Sequence, residues 1–145
     1  MSRRQRLVML GSAFRGDLQV MQEAGRELSG QGWQDSAIAL AAARGGHLEV
    51  LQWAVEHGCP WHKEATYEAA GGGHLEELQW AVEHECPWDE WTTYAAAGGG
   101  HLEVLQWAVE HGCPWHVRTN LAADDGGDEA MIQWVAENAP RFQRM

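Results

Sequence analysis

Leu48, Leu51 and Val55 fall on one face of a 3.6-residue period, with Val50 and Ala54 beside them and Glu49, Gln52 and Glu56 opposite. That is the pattern of an amphipathic helix with one buried stripe. Gly58 follows the last periodic residue and suits a left-handed helix end, and Pro60 forbids continuation. The whole pattern returns 27 residues later and again after another 27 residues, and residues 45–62 and 99–116 are identical. A fixed period of this size predicts stacked supersecondary units rather than one closed globule. A shorter alanine-rich pattern precedes each amphipathic one and predicts helices over residues 36–44, 63–70, 90–97 and 117–123. Asp89 is a good N-cap for the third of these, and His62 and His116 are weaker ones at equivalent places. The glycines at 71–73 and 98–100 predict the tight turn into each second helix.

The ends of the chain are degenerate copies. Residues 15–22 match residues 45–52 in pattern at a separation of 30, so a first unit carries an insertion of three residues, expected within Gly25 to Gly32. Asp17 and Asp128 stand where the other units have His47, His74 and His101; this predicts a helix-capping role for the position. Residues 1–6 and 139–145 read as short basic tails. In the last unit Asp124, Asp125, Asp128 and Glu129 replace less polar residues, as the outer face of a terminal cap requires. The expected fold is an all-α solenoid of about five helix pairs. It forms a single domain over 1–145, with an N-terminal capping unit at 7–32, central repeats at 33–116 and a C-terminal capping unit at 117–142. Glu85 replaces the helix-ending glycine in the middle unit. If the backbone there needs a positive φ, the change costs about 1 kcal/mol.

The residues from Gly46 to Gly58 resemble the second helix of an ankyrin repeat, and the alanine-rich helix with its Gly-Gly-His turn resembles the first. The usual unit has about 33 residues, so the resemblance implies shortened loops in place of β-hairpin fingers. Cys59-Pro60-Trp61 fills the loop, as in the short Cys-Pro-Trp type of ankyrin-like repeat found in arrays of protists, algae and large DNA viruses. The resemblance covers about residues 7–142. The Thr-Pro-Leu-His start of the usual first helix is absent. The family implies protein–protein binding and names no partner.

A net charge of −11 is a poor match to phosphate backbones, which are neutralised by Lys and Arg, so no nucleic acid is expected. A partner with a basic segment is compatible with that charge. Arginines gather near the ends, and Lys63 is the single lysine. No stretch approaches the roughly 18 apolar residues of a membrane span, and no secretory signal is visible. Cys59, Cys86 and Cys113 hold equivalent places in successive units. Packed helices about 8–10 Å apart do not bring equivalent cysteines within disulfide reach. Reduced thiols, an intracellular and cytoplasmic location and a monomer are the expectation.

His57, Cys59 and His62, with their copies His111, Cys113 and His116, are zinc-ligand types and define an alternative metal- or redox-responsive module. The middle unit lacks the third ligand, and the spacing fits no established zinc pattern. A passive structural spacer is a further alternative. No cofactor is expected, and no nucleophile motif or phosphate loop supports catalysis, so the chain reads as no enzyme. Trp53, Trp80, Trp107 and Trp134 form one aromatic series and Trp61, Trp88 and Trp115 another, both expected to fill seams between units. The units differ at three neighbouring positions: Lys63, Glu90 and Val117; Glu64, Trp91 and Arg118; Ala65, Thr92 and Thr119. All three are expected to be exposed. Lys63, Glu64, Glu90, Trp91, Val117 and Arg118 are the expected partner-binding residues, on the concave first-helix and loop edge that the resemblance implies. Trp91, present in one unit only, is the candidate anchor.

Overall fold

The computed structural model describes residues 2–26 and 35–143. Among these residues there are ten α-helices and no strand. The expected insertion in the first unit lies largely outside the described residues. The chain divides into two compact units, Met1–Ala65 and Thr66–Met145.

The first unit contains α1 (Arg3–Arg15), α2 (Leu18–Arg26), α3 (Ala37–Gly45) and α4 (Leu48–Glu56). Helix α1 begins earlier than the apolar pattern suggests, so residues 3–6 are helix rather than tail. Ser2 explains the difference: its hydroxyl accepts from the Gln5 amide while the Gln5 side chain accepts from the Ser2 amide, a complete capping box. Helix α1 packs on α2 and α3, and α3 packs on α4. Met9, Met21, Ile38 and Leu51 are fully buried there.

Helix α5 (Ala65–Gly71) starts at the division, and the second unit continues with α6 (Leu75–Glu83), α7 (Glu90–Gly98), α8 (Leu102–Glu110), α9 (Thr119–Gly126) and α10 (Glu129–Gln143). Helix α7 packs on α8 and α9, and α10 on α8 and α9. The core joins Leu78, Leu105, Val104, Met131 and Val135 with alanines from the first helix of each pair. Small side chains let these short helices approach closely: a Cβ built on Gly71 would lie 3.5 Å from Ala95 Cβ, and one on Gly98 would lie 3.7 Å from Ala122 Cβ. Helix α10 runs to Gln143, so much of the expected C-terminal tail is helical.

The second helices end as the pattern predicts. Gly58 and Gly112 adopt φ of 92° and 86°, and Glu85 takes the same left-handed conformation with φ 67°. The tryptophan series meet at the seam, where the Trp88 ring lies 5.7 Å from that of Trp107 of the next repeat, but they stay at its rim. Trp53, Trp61, Trp80, Trp88, Trp107, Trp115 and Trp134 are all partly exposed, and in the second unit Trp88, Trp107, Trp115 and Trp134 border the core rather than fill it. The deep positions belong to alanine, leucine and methionine, because the closely packed helices leave no room for an indole between them.

His47, His74 and His101 stand before the second helices but make no side-chain cap hydrogen bond. The expected capping role holds only for the aspartates: Asp17 accepts from the Val20 amide at 3.1 Å, and Asp128 from the Met131 amide at 2.8 Å. The His47 and His101 rings pack against the preceding repeat's turn instead. A Cβ on Gly16 would come within 2.4 Å of the His47 ring, and one on Gly73 within 2.5 Å of the His101 ring. Both glycines also have a positive φ, so a side chain is refused for two separate reasons.

Candidate functional site

The loop before each first helix sets the site. Its last residue alternates between Asp and His, and both types do the same work. Asp35 Oδ1 accepts from the Ala37 amide at 3.0 Å, and Asp89 Oδ1 from the Trp91 amide at 2.9 Å. His62 Nδ1 accepts from the Glu64 amide at 3.1 Å, and His116 Nδ1 from the Arg118 amide at 2.9 Å. Each side chain satisfies a backbone N–H at a helix start.

In the second unit this loop brings an aromatic cluster together. The Trp91 ring lies 5.4 Å from the Tyr94 ring, edge to face, and 4.5 Å from the His116 ring, while Tyr94 and His116 are 5.2 Å apart. His116 is buried, and its Nε2 stands 4.0 Å from the Glu90 carboxylate. Trp91 caps the cluster yet keeps 46% of its surface exposed. Val117 and Arg118 follow His116 directly; both are exposed, Val117 to 76%. Of the expected binding residues, Glu90, Trp91, Val117 and Arg118 therefore gather around one half-covered aromatic group. Tyr94 and His116 support it and were not singled out for binding by the sequence. Their signal was spacing: Tyr94 is one helical turn from Trp91.

Lys63 and Glu64 belong to the first unit, where Lys63 is exposed and Glu64 half-buried. The third variable position corrects the expectation of exposure: Ala65, Thr92 and Thr119 are all buried. They sit on the packed side of their helices, so variation there is constrained by volume rather than free.

The metal-ligand types are each occupied locally. His57 and His111 Nδ1 lie 2.8 Å from the carbonyls of Trp53 and Trp107, four residues back, and their rings lie over those indoles at 4.3 Å. Cys59 and Cys113 Sγ donate to the carbonyls of Asp35 and Asp89 at 3.4 and 3.3 Å. Among the described residues no three His, Cys, Asp or Glu side chains converge on a common point. Burial pushes the thiols up, Cys59 to about 11 and Cys86 and Cys113 to about 12, so they remain protonated and poorly nucleophilic. All three are free cysteines.

One buried acid stands apart. Glu77 on α6 is 2% exposed, and neither carboxylate oxygen has a hydrogen-bond partner. Its equivalents are Val50 and Val104, so a valine socket holds a carboxyl group. Burial alone pushes Glu77 up to about 8. Comparison of the repeats position by position would have revealed it. A cleft of about 370 Å³ in the first unit, lined among the described residues by Gln22, Gly25, Arg26, Trp53 and His57, is open to solvent.

No helix among the described residues is long and apolar enough to cross a membrane. The chain matches no protein-family model and no curated protein sequence.

Proposed function

We propose that the protein is a non-catalytic protein-interaction module built as an ankyrin-like helical-repeat solenoid. The partner binds the first-helix and loop edge through Trp91, Val117, Arg118 and Glu90, with Lys63 and Glu64 as the corresponding residues of the first unit. The observation that carries this reading is the half-exposed Trp91 ring, held in place by Tyr94 and His116 beside an exposed Val117. A partly covered indole on His116, with an exposed arginine two residues after that histidine, offers the residue types of an interface hot spot. The Glu90 carboxylate and the net charge of −11 favour a partner segment with basic residues. The free, buried thiols agree with an intracellular site of action.

Affinity capture from a cell lysate tests the proposal. The wild-type chain is compared with a Trp91→Ala, Val117→Asp, Arg118→Ala variant of equal helical circular dichroism. A protein retained by the first and lost by the second is expected. Identical captures, or none, overturn the assignment of this edge.

A further inference from the structure

We propose that copies of this chain associate head to tail, the outer face of α1 in one copy docking on the outer face of α9 in another. The repeat register identifies both faces. Within the second unit, Gly71 and Gly98 touch the alanine of the next first helix, so the equivalent Asp125 marks the side of α9 that would face a following helix. Leu121 lies one turn earlier on that side and is 62% exposed, although its equivalents Leu40, Tyr67 and Tyr94 are buried or half-buried. Asn120 holds the position from which Thr66 and Thr93 reach the next loop's proline carbonyl, and its buried Oδ1 has no partner. The α9 face therefore carries the residues of an inter-repeat surface in an exposed state.

Helix α1 shows the complementary condition. Val8 is equivalent to Ile38, Ala65, Thr92 and Thr119, all buried, yet it is 39% exposed, and Leu7 beside it is exposed as well. Arg15 folds back over Gly11, so that a Cβ on Gly11 would lie 3.1 Å from its Nη1. Gly11 is the equivalent of Ala95 and Ala122, the residues that meet the preceding helix. The guanidinium thus occupies the place that meets position 125.

Charge selects a second copy as the occupant. The α1 face carries Arg15 and Arg4, and the α9 face carries Asp124 and Asp125 with Asp128 nearby, all exposed. Like ends repel and unlike ends attract. Arg15 replaces the glycine of later repeats, so a docked α1 stands further out than a repeat helix, and the contact is small and weak. The two faces are different surfaces, so the association is heterologous. This departs from the monomer that the sequence suggests, and it uses none of the residues of the Trp91 cluster.

Sedimentation of the full chain over a concentration series tests it. The average mass is expected to rise to about one and a half times the monomer mass at roughly 200 μM. It should fall back in about 1 M salt, where the screening length is roughly 3 Å. Arg15→Glu alone and Asp124→Lys with Asp125→Lys alone should each stay monomeric, and their equimolar mixture should associate again. Leu121→Asp, at an exposed position, should stay monomeric with unchanged circular dichroism. A wild type that stays monomeric throughout overturns the proposal, as does a mixture that behaves like its components.

Discussion

The hydroxyl of Thr93 accepts from the amide of His116 at 3.2 Å and shares its one proton between the carbonyls of Glu90 at 2.8 Å and Pro114 at 3.0 Å, so one buried side chain pins α7 to the loop of the next repeat. Thr66 makes a single bond of the same kind to Pro87 at 3.0 Å. Thr93→Val leaves the buried His116 N–H without its acceptor and should cost about 1–3 kcal/mol. Thr66→Val should cost less, because the bond it removes goes to the carbonyl of an exposed proline. Urea unfolding of both variants measures the difference, and equal losses would show that the His116 amide contributes nothing.

Glu77 makes stability fall as pH rises. The unfolded chain ionises this carboxyl near its ordinary value of 4.5, and the folded chain near 8. Between these values the folded state holds the extra proton. Stability contributed by this group is thus complete below about pH 4.5, is lost progressively as pH rises through the window, and levels off above about pH 8. Glu77→Val, the residue of the flanking repeats, should raise the melting temperature at pH 8 more than at pH 5. Equal gains at both pH values would mean that the carboxyl reaches water.

Glu85 holds a left-handed backbone conformation that Gly58 and Gly112 adopt without a Cβ. Glu85→Gly should stabilise the chain by about 1 kcal/mol. Gly112→Glu should destabilise it by a similar amount. Chemical unfolding of the pair checks both signs, and a loss for Glu85→Gly would show that its side chain makes a compensating contact.

The three thiols should react slowly with an aromatic disulfide reagent at pH 8 in the native protein, because all are buried and held protonated. In denaturant all three should react quickly. Fast labelling of one cysteine in the folded chain would identify a locally open loop and revive a redox role.

The sequence determined where the helices of the repeats lie. Helix ends are local: Asp89 caps α7 within two residues, Gly58 and Gly112 end α4 and α8, and the 27-residue period copies these signals along the chain. Trp91 and Val117 were legible as well, because they break an otherwise faithful repeat. The tertiary structure alone decided what each side chain meets. A 27-residue alignment finds equivalent positions without saying which side of a short helix they take, so Thr92 and Thr119 are buried beside exposed Trp91 and Arg118. It could not show that tryptophans border an alanine core, that histidines before the second helices pack on glycine turns, or that His116 stands between Trp91 and Tyr94. Burial is a property of neighbours brought together from distant parts of the chain, so equivalent positions of one repeat pattern are buried at Ile38 and Leu40 and exposed at Val8 and Leu121.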